Sequence, residues 1–155
     1  MIIQNLSMAL LICTAIFFAS CGGKSDATGE VMPIEKVCGY EKWKTVAVEG
    51  YLAPNTMSCE KASRKSTSSI VWCFFKVYAD KNLSGANISV QIPITSWTSA
   101  KNNQMENPPS RAEDLKIYDN DGNLIPPSSK IRVYGELPKS EKCEFGLVKR
   151  IDRLQ

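Results

Sequence analysis

The sequence predicts a small all-β domain carried behind an export signal. Five segments alternate apolar and polar residues with period two, and only one short helix is indicated. The size agrees: 155 residues, 43% of them apolar, suit a single compact core. The chain carries 19 Lys+Arg against 16 Asp+Glu and contains no histidine. Histidine-dependent catalysis and His-ligated zinc are therefore excluded, since no other unperturbed side chain titrates between pH 5 and 8.

Residues 1–20, MIIQNLSMALLICTAIFFAS, hold no charged side chain, and Leu6 to Ala19 is almost wholly apolar. This is the apolar region of a secretory signal followed by small residues. The stretch Phe18-Ala19-Ser20-Cys21 resembles the bacterial lipobox. The resemblance implies cleavage before Cys21, diacylation of its sulfur (a palmitate-type anchor) and residence on an envelope membrane. Cleavage would leave 155 − 20 = 135 residues and a side-chain charge of 19 − 16 = +3. Gly22, where Asp would hold an enteric lipoprotein at the inner membrane, implies the outer membrane. The alternative is an uncleaved membrane-spanning anchor, for which the segment is long enough, although Gly22-Gly23 continues such a helix poorly.

From Cys21 to residue 36 the chain is small, polar and aperiodic, and is expected to be a flexible tether. A domain is expected over 37–155. Its first strand, Lys44 to Leu52, places Val46 and Val48 on one face and Thr45, Ala47, Glu49 and Tyr51 on the other. The second, Ile70 to Asp80, sets Val71, Cys73, Phe75 and Val77 against Trp72, Phe74, Lys76 and Tyr78. In the third, Asn87 to Thr95, Ile88, Val90, Ile92 and Ile94 align, and Pro93 favours an edge or a strand end. Lys130 to Leu137 alternates Ile131, Val133 and Gly135 with charged and aromatic residues. Glu144 to Leu154 brings Phe145, Leu147 and Ile151 into phase.

Between the third and fourth strands, Ser96 to Asp114 is polar and broken by Pro108-Pro109. Ser110 and Glu113 have capping-box spacing, which predicts a short helix over Arg111 to Leu115. Leu115 to Ile125 reads as a hairpin with Asp121-Gly122 in a type I′ turn. The run DNDGN hints at a calcium loop, but its Gly falls at position 4 where an EF-hand needs it at position 6. No metal or cofactor is expected.

Three strands, a polar segment with a short helix, then two strands resemble the oligonucleotide/oligosaccharide-binding (OB) fold, a five-stranded Greek-key barrel. The resemblance rests on the strand endings Val48-Glu49-Gly50-Tyr51-Leu52 and Val133-Tyr134-Gly135-Glu136-Leu137, whose glycines let a strand bend around a small barrel, and on Val148 to Asp152. A small β-sandwich is the alternative architecture.

Of six cysteines, Cys13 leaves with the signal and Cys21 takes the lipid, so Cys38, Cys59, Cys73 and Cys143 remain for two disulfides. Spacing alone leaves three connectivities open. The OB resemblance implies Cys38–Cys143, which brings the approach to strand one beside the exit from strand four. It then places Cys59, in the first loop, with Cys73 in strand two.

OB domains usually hold ligands on the face of strands two and three. The resemblance therefore implies a ligand face at Trp72, Phe74, Lys76 and Tyr78, beside a basic first loop with Lys61, Arg64 and Lys65. Aromatics interleaved with a cation stack bases or sugars, yet +3 is an ordinary surface charge, and an exported protein is not expected to meet nucleic acid. The expected function is a non-catalytic, membrane-anchored binding or adaptor module for an envelope protein, a glycan or a small molecule. The alternative is an envelope enzyme, such as a glycan hydrolase, using Glu113 with Asp114 or Asp119 with Asp121 as its carboxylate pair.

Overall fold

The computed structural model describes residues 24–38, 40, 44–61, 71–94, 102–106, 114–137, 144–146 and 148–155. For Lys61, Val71, Trp72 and Pro93 it describes the backbone alone. The order of elements is β1 (Glu30–Met32), α1 (Ile34–Val37), β2 (Thr45–Lys61), β3 (Val71–Tyr78), β4 (Asn87–Ile94), β5 (Ile117–Tyr118), β6 (Leu124–Ile125), β7 (Lys130–Glu136), β8 (Glu144–Phe145) and β9 (Val148–Arg153). Among the described residues the elements are strands apart from the single α-helical turn α1.

The main sheet runs β8-β4-β3-β2-β7-β9. β2 pairs antiparallel with both β3 and β7, and β9 pairs antiparallel with β7. β8 pairs in parallel with β4 through Ser89↔Glu144 and Val90↔Phe145. Since β8 and β9 are halves of one segment, the last strand bonds strand three at its start and strand four along its length. This is the strand order of an OB barrel, and it curls the sheet around one core.

Alternation decides which side chains fill that core. Cys73, Phe75 and Val77 of β3 and Ile88, Val90 and Ile92 of β4 are fully buried, while Phe74, Lys76 and Tyr78 point outward. Phe75 and Phe145 are the largest fully buried side chains, each contributing about 1.5–3 kcal/mol on transfer from water. Gly50 and Gly135, on inward positions, do more than permit bending. A Cβ on Gly50 would lie 2.4 Å from the Tyr78 carbonyl oxygen, and one on Gly135 would lie 2.8 Å from Phe145 Cγ. Each glycine lets another part of the chain approach the strand.

β2 extends well past the expected end at Leu52. Pro54, which has no N–H to give a ladder, opens a bulge. Ala53 faces Lys76 and Ser58 faces Phe74, so Pro54 to Met57 stand opposite Phe75 alone. Thr56 repairs the break, its Oγ1 donating to the Ala53 carbonyl at 2.7 Å and accepting from the Lys76 N–H at 2.8 Å. Pairing then resumes as far as Lys61. Cys59 is thus a strand residue and does not lie in the first loop.

Residues 24–36, expected as a free tether, are joined to the barrel. β3 covers the edge of β2 only from Tyr51 onward, and β1 covers the rest in parallel, from Glu30↔Val46 to Met32↔Val48. Gly29 makes this possible, because any Cβ there would sit 2.7 Å from the Thr45 carbonyl oxygen. Pro33 then opens α1, its carbonyl accepting from the Lys36 and Val37 N–H groups, and the i, i+3 pair Ile34 and Val37 is buried in the core. The domain therefore begins before residue 37.

The hairpin is present as β5 and β6, paired Ile117↔Ile125 and Tyr118↔Leu124. Its turn is not type I′, which needs positive φ at both central residues. Of the loop 119–123 only Gly122 has positive φ, at 81°. Gly122 N–H donates to the Asp119 carbonyl, and the Asp119 carboxylate accepts from the Asp121 and Asn123 N–H groups at 2.9 and 2.8 Å. An Asx turn at Asp119 thus sets the geometry, with glycine closing it. The expected helix over Arg111 to Leu115 lies mostly outside the described residues; Leu115 itself is buried.

Candidate functional site

The site is built by register. Tyr78 of β3 stands between Asn87 of β4 and Tyr51 of β2, and Tyr51 in turn faces Lys130 of β7. One row thus crosses four strands on the outer surface: Asn87, Tyr78, Tyr51, Lys130. A second row holds Ser89 and Lys76, and a third holds Gln91, Phe74 and Ser58. Phe74, Tyr78 and Tyr51 are half-buried and Lys76 is exposed. The face therefore offers aromatic surface beside amide and hydroxyl groups, with Lys76 and, at its β7 end, Lys130 as exposed cations.

Of the expected ligand residues, Phe74, Lys76 and Tyr78 share this face. Trp72 occupies the next outward backbone position, between Glu60 and Pro93, but its side chain lies outside the description. So do those of Lys61, Arg64 and Lys65. Tyr51 completes the face and was not among the expected residues. Its outward phase in β2 was the available signal, and only the β2–β3 register, Tyr51↔Tyr78, shows that it adjoins Tyr78.

Beyond Tyr51 the outer face of β2, β7 and β9 changes to paired charges. Glu49 takes Arg132 on one carboxylate oxygen, with Nε at 3.0 Å, and Lys130 on the other at 3.2 Å. The Arg132 guanidinium, and after it the Lys130 ammonium, holds the Glu49 carboxyl below its ordinary value, with some opposition from burial. Arg132 is itself held charged by hydrogen bonding to Tyr134 and Glu49. Arg150 bonds Asp152 at 2.8 Å and lies 5.4 Å from the centre of the Tyr134 ring. Lys149 pairs with Glu136 and donates to Thr45 Oγ1. These cations are matched to neighbouring anions, whereas among the described residues Lys76 has no ion-pair partner.

Of the carboxylates in the alternative, hydrolase reading, Asp119 and Asp121 are engaged in the β5–β6 loop. Asp119 is buried, and its oxygens accept the backbone N–H groups of its own turn. Asp121 bonds Lys24 at 2.7 Å, and that ammonium lowers its pKa, the opposite of what a general acid needs. Glu113 lies outside the described residues. Among the described residues no group of three His, Cys, Asp or Glu side chains could hold a metal ion.

Cys59 and Cys73 are bonded across β2 and β3 with Cα atoms 4.0 Å apart. The bond is the one the OB resemblance implied, but it joins two strand residues that stand directly opposite in the ladder. Cys38, at the end of α1, is also disulfide-bonded, and its expected partner Cys143 lies outside the described residues. Residues 1–23, with the signal and Cys21, lie outside them too.

No protein-family model, curated protein or solved structure matches this chain. The fold and the outer face of β3 are therefore what a functional reading rests on.

Proposed function

We propose that the protein is a bacterial envelope lipoprotein. It is anchored through a diacylated Cys21, in the outer membrane where one exists, and acts as a non-catalytic binding module. The observation that carries the binding role is the aromatic and amide face of Phe74, Tyr78, Tyr51, Asn87 and Gln91 on the OB ligand surface. Flat rings with nearby amide groups suit a glycan, which stacks an apolar ring face and offers hydroxyls to hydrogen-bond donors and acceptors. A peptide or a small molecule with a flat ring meets the same requirements less fully. Nucleic acid fits poorly, because most cations of the neighbouring face are already paired.

The test is a binding screen of the mature protein against envelope-type glycans. Binding that is lost in a Phe74→Ala, Tyr78→Ala double variant of unchanged stability is the expected outcome. Hydrolysis of any glycan, abolished by Asp119→Asn, would replace this reading with an enzyme.

A further inference from the structure

The N-terminal segment does not stop at β1. Upstream of it, Ser25 N–H donates to Asn120 Oδ1 at 2.7 Å, and Lys24 Nζ meets Asp121 Oδ1 at the same distance. Both partners belong to the loop between β5 and β6. The ion pair is largely exposed, at 63% and 66%, and such pairs contribute little. Asn120 is different: it is buried, and its Oδ1 also accepts from Asn103 Nδ2. The segment is therefore held at two places, by a buried acceptor at Ser25 and by sheet pairing at Glu30–Met32.

This placement changes the reach of the anchor. A free tether over 21–36 would extend to about 50 Å, whereas the three steps from Cys21 to Lys24 span at most about 11 Å. We infer that the docked N-terminal segment holds the Asp119–Asn123 loop against the membrane surface and gives the barrel a fixed orientation on it. The inference rests on the proposed lipid at Cys21. Asp121 of this loop is paired with Lys24 and lies near Arg150, which weakens its repulsion from anionic headgroups. β2 runs away from this region, from Thr45 beside Gly29 to Lys61, and its Ser58 to Glu60 end is expected to point away from the bilayer.

The test uses the mature lipidated protein, isotope-labelled, on bilayer nanodiscs with a paramagnetic ion chelated to the lipid headgroups. Loss of the Asp121, Gly122 and Asn123 amide signals, with those of Ser58 and Glu60 retained, is the expected result. A second protein with about twelve Gly and Ser residues inserted between Gly23 and Lys24 keeps the docking contacts but lengthens the leash by about 20 Å. It should regain the three lost signals while still binding the discs. Even broadening across the domain in the uninserted protein would overturn the orientation while leaving the lipoprotein reading intact. Failure to bind the discs at all would overturn both.

Discussion

Asn103 Nδ2 donates to Asn120 Oδ1 at 2.7 Å, and the two buried amides together complete the open edge of the last strand. Asn103 Oδ1 accepts the Ile151 N–H, and the Asn120 N–H donates to the Ile151 carbonyl, each at 2.7 Å. Asn102 Nδ2 donates to the Asn120 carbonyl. Four segments remote in sequence, at residues 25, 102–103, 120 and 151, thus meet at one hub whose polar atoms are satisfied.

Removing the Asn120 amide takes the acceptor from the Ser25 N–H and breaks the hydrogen bond from Asn103 Nδ2. A buried polar group without a partner costs about 1–3 kcal/mol. Asn120→Ala should lower unfolding stability in urea by about 2 kcal/mol or more and speed proteolysis at Lys24. Stability equal to the parent would show that the hub is not structural.

The Cys59–Cys73 bridge closes a short loop, with a sequence separation of 14. In the chain-entropy model a loop of that size stabilises by about 3 kcal/mol. A Cys59→Ala, Cys73→Ala variant, which leaves no lone thiol, should lose about that amount in urea unfolding. An unchanged midpoint would mean that the ladder flanking the bulge holds without it.

Gly50 and Gly135 should respond unequally to alanine. At Gly135 the new methyl meets the base of the Phe145 ring at 2.8 Å, and the ring must shift within the core, at about 1–3 kcal/mol. At Gly50 it meets the Tyr78 carbonyl oxygen at 2.4 Å, and a backbone atom cannot rotate aside. Gly50→Ala should therefore be the more damaging in thermal unfolding; the reverse order would contradict the assigned packing.

Glu49 makes one acid-sensitive contribution. Its folded pKa is depressed below the ordinary 4.5 by Arg132 and Lys130, so its stabilisation is present above that value and disappears as pH falls through the folded pKa. Glu49→Gln should cost about 0.5–1 kcal/mol at pH 6, as for a part-exposed cross-strand ion pair. The gap between the two proteins should close as pH falls below about 4. A gap that stays constant down to pH 3 would show that charge is not its source.

Much of the barrel was legible because β3, β4 and β7 each bury one face, which makes period two visible in Cys73, Phe75 and Val77 or in Ile131 and Val133. The outward set Phe74, Lys76 and Tyr78 followed from the same phase. The end of β2 was hidden because Pro54 and Asn55 read as a turn, whereas Thr56 carries the strand through a bulge to Cys59. β1 has no pattern of its own. Glu30 to Met32 is three residues of mixed character, and it pairs because β3 leaves the edge of β2 open beyond Tyr51. The only local signal nearby was the i, i+3 spacing of Ile34 and Val37. Asn103 and Asn120 read as turn residues, and their role as partners of Ile151 depends on tertiary contacts that no local window contains.

The central claim, a binding barrel held on an envelope membrane by its N-terminus, is tested most directly by the mass of the N-terminal peptide of the membrane-extracted protein. A peptide beginning at Cys21 and carrying a diacylglyceryl group is the predicted result, with Cys21→Ser releasing the protein from the membrane. A peptide beginning at Met1, or one beginning elsewhere without lipid, would contradict the account.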